Sequence, residues 1–162
     1  KKIIFHKMAA IITRRSSIIA AEAAPISHEF ARTFRDAALA AAWSTANERA
    51  GKKKAAANDL KEFNNHIEAL GKIKSVSPVM LEQMKKMMLA ISWHAANSRK
   101  GYDQHASKDK EQFNTAKDLL KQEVTESDSG IELDVVELLA SLATSAAWFA
   151  ANKRKGYSKD AK

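Results

Sequence analysis

One nine-residue pattern is written three times along the chain, and it limits the fold more than any other feature. Trp43, Ala46, Asn47, Arg49 and Gly51 recur as Trp93, Ala96, Asn97, Arg99 and Gly101, and again as Trp148, Ala151, Asn152, Arg154 and Gly156. The offsets are 50 and 55 residues, and Tyr102 and Tyr157 follow the last two glycines. Self-similarity at a long period marks a supersecondary unit that buries its apolar face by packing on its own copies.

The register extends to both sides of the motif. Upstream, Phe30, Met80 and Val135 correspond, as do Phe34, Met84 and Leu139, then Ala37, Met87 and Leu142, then Ala38, Met88 and Ala143. Their spacing of i, i+4, i+7 and i+8 is one face of an α-helix. Downstream, Ala56, Asp59, Phe63, Asn64 and Leu70 match Ala106, Asp109, Phe113, Asn114 and Leu120, and Ala161 falls where a third copy would continue.

Each unit therefore reads as two helices. The first is predicted over Ser27–Arg49, Ser77–Arg99 and about Ile131–Arg154. Ser77-Pro78 is a start signal, because serine caps free backbone N–H groups and proline suits the first helical position. Gly51, Gly101 and Gly156 stand where a helix ends on a left-handed residue. The second helix is predicted over Ala55–Leu70 and Ala106–Gln122, with Ala56, Leu60, Phe63, Ile67 and Leu70 as its apolar stripe. Gly71–Val76 and the acidic Glu123–Gly130 read as linkers. With five glycines, two prolines and abundant alanine, the composition favours long helices over strands.

The expected fold is thus all-α, with helical-hairpin repeats of about five to six helices forming a bundle or a short solenoid. Residues 27–162 make up the repeat domain, in units 27–76, 77–130 and 131–162. Residues 1–26 are set apart. Their first 21 hold Lys1, Lys2, Lys7, Arg14 and Arg15, with no acid before Glu22. That is the composition of a mitochondrial or other organellar transit segment, and equally of a basic arm lying on the domain or on a partner; it could also add the sixth helix. No run approaches 18 uninterrupted apolar residues. The nearest, Leu138 to Ala151, is broken by Ser141, Thr144 and Ser145 and predicts a buried core helix, not a transmembrane segment.

Functional residues are sparser. Lysine and arginine outnumber aspartate and glutamate by 27 to 19, for a net charge of +8, which suits nucleic acid, anionic lipid or an acidic protein surface. The absence of cysteine excludes disulfides, thiol catalysis and cysteine-held metals. The histidines His6, His28, His66, His94 and His105 show no metal-ligand spacing, and no glycine-rich phosphate loop or nucleophile motif is present. No cofactor and no catalytic residue is expected. Met80, Met84, Met87 and Met88 read as core, the alternative being an adaptable groove.

The repeated motif admits two readings. In the first, Trp43, Trp93 and Trp148 fill the core, Asn47, Asn97 and Asn152 hydrogen-bond into a neighbouring loop, the arginines complement the helix dipole, and Gly51, Gly101 and Gly156 end the helices. In the second, Arg49, Lys52, Lys53, Lys54, Arg99, Lys100, Lys153, Arg154 and Lys155 share one basic rim that binds phosphates or an acidic partner. The function expected is a non-enzymatic interaction or scaffold protein, a small subunit docking other protein subunits through this rim and the acidic Glu123–Glu137 stretch. The alternatives are a nucleic-acid-associated basic protein and a cofactor-binding bundle.

Overall fold

A computed structural model describes residues 27–154; the basic segment 1–26 and residues 155–162, with Lys155, Gly156, Tyr157 and Ala161, lie outside the described residues. Five helices follow one another, and no strand occurs among the described residues. They are α1 (His28–Arg49), α2 (Lys53–Gly71), α3 (Pro78–Arg99), α4 (Asp103–Glu126) and α5 (Leu133–Lys153). The fold is all-α, as the periodicity requires.

Capping explains where α1 and α3 begin. Ser27 Oγ accepts from the Phe30 amide, and Ser77 Oγ accepts from the Met80 amide, each at 3.1 Å. Their ends are alike as well. Gly51 and Gly101 adopt φ of 73° and 72°. The amide of Lys52 reaches back to the Asn47 carbonyl at 2.8 Å, and that of Tyr102 to the Asn97 carbonyl at 2.9 Å. The Gly51 and Gly101 amides bond the Glu48 and Ser98 carbonyls, completing a Schellman turn at each end. Such a turn reverses the chain within a few residues, so α2 runs back along α1 and α4 along α3.

The three first helices pack on one another: α1 meets α3 and α5, and α3 meets α5. Contacts near their C-termini fix the direction. Arg49 of α1 lies over Trp93 of α3, His94 of α3 meets Trp148 of α5, and Phe149 of α5 meets Trp43 of α1. The three helices are therefore parallel and close on one another as a bundle. Helix α2 packs mainly on α1 and α4 mainly on α3. Phe30, Phe34, Phe63, Leu70, Leu120 and Val136 fill the core with all four methionines of α3, each of which is fully buried. An adaptable methionine groove is thereby ruled out; these side chains are packing material.

Two sequence expectations need correction. Leu60 is 43% exposed and stands off the α2 stripe, while Ala56, Phe63, Ile67 and Leu70 are buried. Helix α4 runs through Glu126, so Glu123 belongs to a helix and not to a linker. Buried Val124 continues the apolar face one turn beyond Leu120, and Ser77 Oγ donates to Glu123 Oε1 at 2.8 Å, tying the start of α3 to the end of α4. The last helix, Leu133–Lys153, lies within two residues of the predicted Ile131–Arg154. By length and composition α5 could cross a bilayer, a test that core helices pass equally.

Candidate functional site

The chemistry that the repeat concentrates lies at the end of the bundle where α1, α3 and α5 finish. Asn47 Nδ2 donates to Asp59 Oδ2 and Asn97 Nδ2 donates to Asp109 Oδ2, both at 2.6 Å. Each bond joins a buried asparagine to the second helix of its own hairpin, so the partner is a helical carboxylate and not the neighbouring loop. One turn earlier, Ser44 Oγ donates to the Ala56 carbonyl at 3.1 Å. At the same register His94 Nδ1 donates to the Ala106 carbonyl at 2.8 Å. That bond and the edge-on contact with Trp148 account for His94 as a structural histidine. His28 and His105 are exposed, and His66 is half-buried.

Arg49 is not a freely presented cation. Its guanidinium sits 5.0 Å from the centre of the Trp93 ring and 5.1 Å from that of Tyr102, between the first hairpin and the second. A cation sharing two aromatic faces holds elements together, with each face contributing on the order of 0.5–2 kcal/mol. The tryptophans themselves are half-buried and pack against the rim of the core without filling it.

The remaining basic residues lie at this same end. Lys52, Lys53 and Lys54 are exposed and line a shallow depression with Gly51, Ala55 and Asn58. Arg99 and Lys153 are exposed, whereas Lys100 and Arg154 are half-buried. Lys155 and Gly156 lie outside the described residues. Asn152 is exposed, in contrast to its buried counterparts. The structure thus gathers Lys52–Lys54, Arg99 and Lys153 on an accessible basic end and withdraws Arg49 into an inter-helix contact.

The acidic stretch is partly engaged within the chain. Glu137 pairs with Lys121 and, at 3.5 Å, with Lys117, linking α5 to α4. The hydrogen bond from Lys121 holds the Glu137 carboxyl below its ordinary range, and the same bond raises the Lys121 ammonium. Glu123 is held by Ser77. Among the described residues, no group of three or more histidines and carboxylates is placed to hold a metal ion.

Sequence reasoning missed three partners. Asp59 and Asp109 were visible as matched positions, and their twelve-residue separation from Asn47 and Asn97 was the available signal. Tyr102 followed a motif glycine, but nothing local pointed it at Arg49. The exposure of Leu133, Leu138 and Phe149 along α5 had no sequence signal, because α5 carries the same apolar register as α1 and α3. Comparison with known proteins finds no matching family model, no matching curated protein and no matching solved structure.

Proposed function

We propose that the protein is a non-enzymatic scaffold built from repeated helical hairpins, serving as a small structural or accessory subunit of a larger protein assembly. The observation that carries this reading is what the motif residues do. At two sites 50 residues apart, the same asparagine-to-aspartate bond, glycine turn and carbonyl bond recur with matching geometry. Side chains that could have formed a reactive constellation instead fix one helix upon another. The large apolar residues left exposed on α5 favour a protein neighbour, since exposed apolar patches serve association.

The test is the native size of the endogenous protein on a sedimentation gradient, at moderate salt, with and without nuclease. A large, nuclease-resistant species is expected. Migration as a free monomer of 17.9 kDa in both conditions would overturn the proposal.

The lysine cluster favours a second reading, in which the basic end grips phosphates of a nucleic acid. Lys52, Lys53 and Lys54 lie where the C-terminus of α1 meets the N-terminus of α2, so the two helix dipoles offset one another. Helix-end electrostatics does not account for three lysines there, and among the described residues none of them forms an ion pair. Collapse of the large species on nuclease treatment, with binding that weakens steeply as salt is added, would select this reading.

A further inference from the structure

Gly51 and Gly101 end α1 and α3 with the same turn, yet the residues that follow them differ in chemistry. After Gly51 come Lys52, Lys53 and Lys54. At the matching positions after Gly101 stand Tyr102, Asp103 and Gln104, with His105 next. The first turn is a cluster of cations, and the second carries two rings. Their corresponding positions are 50 residues apart in the chain, and the packing of the first hairpin on the second brings the turns side by side. Arg49, just before the first turn, has its guanidinium 5.1 Å from the centre of the Tyr102 ring.

That ring is held and still open. Arg49 occupies one side of it, and His105 meets it edge-on at 6.4 Å between ring centres. These contacts orient an aromatic group that remains 46% exposed. Lys52, Lys53 and Lys54 on the neighbouring turn are exposed as well, and so is Arg99 on its own. Glu48 and Asp103 are the acids of the two turns, fewer than the cations, so the surface stays positive. Residues 155–162, which follow α5, carry Lys155, Lys159 and Lys162 against Asp160 and so do not neutralise the lysines.

Cations beside an oriented ring suit a ligand with regular negative charge and flat unsaturated faces. Phosphates of a nucleic-acid strand meet the lysines, and a base stacks on the ring. The ring selects a single strand over a duplex, because base faces in a duplex are already stacked upon one another. An acidic peptide would use the lysines and leave the ring idle. A membrane surface fits less well. Between Arg49 and Asp59, and between Ser98 and Asp109, no aliphatic side chain larger than alanine is present to enter the acyl chains.

We propose that the junction of the two turns binds single-stranded nucleic acid, with Lys52, Lys53 and Lys54 on its phosphates and Tyr102 stacked against a base. This inference rests on the nucleic-acid reading of the basic end and names the form of strand which that end takes.

The test uses the full chain and two labelled single strands of about 12 nucleotides, one carrying bases and one abasic throughout. Both should bind at low salt, the base-bearing strand tighter by roughly tenfold. Tyr102→Ala should remove that margin and Tyr102→Phe should keep it. Lys52→Gln, Lys53→Gln and Lys54→Gln together should weaken both strands. A circular dichroism melt confirms that each variant is folded; Tyr102→Leu, which keeps apolar bulk without a ring, serves where Tyr102→Ala does not fold. Equal affinity for the two strands, or a margin that survives loss of the ring, would overturn the proposal. So would tighter binding of a duplex of the same length. If both strands bind equally and the lysine substitutions release them, the stacking site fails and the nucleic-acid reading stands. If neither strand binds at low salt, both fall. Flotation with phosphatidylserine vesicles, lost in the lysine variant and with no margin between the strands, would overturn the proposal in favour of an anionic bilayer.

Discussion

Helices α3 and α5 carry the same motif and a similar apolar register, yet the described residues enclose α3 on nearly every side and leave part of α5 exposed. Met87 is fully buried, while Leu142 at the matching position is half-buried. Asn97 is buried against Asp109, and Asn152 faces solvent. Hydrophobic patterning reports which face a helix prefers to bury. It does not report whether a neighbour exists to bury it. Two helices that share a motif therefore have different energetic roles, and matched substitutions can measure the difference.

The largest contrast should come from the Met87/Leu142 pair. Met87→Ala removes a fully buried side chain and leaves a cavity in the core, a change that costs on the order of 2–5 kcal/mol. Leu142→Ala, at the uncovered register, should cost about 1–2 kcal/mol, because part of its surface already meets water. Urea unfolding of the two variants checks this. Equal losses would mean that α5 is as enclosed as α3, and the contrast between them would disappear.

The arginines come next. Arg49→Ala removes a cation from between Trp93 and Tyr102 and should destabilise by about 1–2 kcal/mol. Thermal denaturation, with Arg49→Lys as a partial rescue, measures it. If the loss proves negligible, Arg49 belongs with the accessible basic residues after all, and the rim widens to include it. A sharper discrimination follows for the asparagines. Asn97→Ala leaves the Asp109 carboxylate without its donor and should cost about 1 kcal/mol, whereas Asn152→Ala should fall within about 0.5 kcal/mol of the parent.

These comparisons also mark what was legible in the sequence. Helix starts with their own chemistry could be read directly: Ser27 and Ser77 both cap, and the predicted boundaries hold to one residue. The third first helix has no such signal, and its cap, Glu132, makes no side-chain bond; the predicted start at Ile131 misses by two residues. The end of α4 was missed for another reason. Glu123 and Glu126 look like linker composition, and the bond that recruits Glu123 comes from Ser77, 46 residues away. Local pattern carries no trace of such a contact. The basic rim was partly legible. The repeat brings its members to one end, but whether a cation faces water or an aromatic ring depends on the neighbouring hairpin, and there Arg49 and Arg99 diverge.

The smallest effect tests how α5 is held against α4. Glu137 meets Lys117 and Lys121 across the α4–α5 contact, half exposed to water. A surface pair of this kind contributes less than the buried asparagine bonds. Its pH signature is nevertheless distinct. Because the Lys121 bond lowers the Glu137 carboxyl, folding is favoured above the ordinary carboxylate range, and that contribution is lost as pH falls through the lowered folded value. Lys121 is raised, so its share persists below the ordinary lysine range and is lost as pH rises through the raised value. The pair is therefore complete at neutral pH. The stability difference between the parent and Glu137→Gln should be present at about pH 7, close in acid as Glu137 protonates, and shrink with added salt. Unfolding curves at about pH 7 and about pH 3 measure it. A difference unchanged between the two would show that Glu137 acts by packing alone, and that charge plays no part in seating α5 against α4.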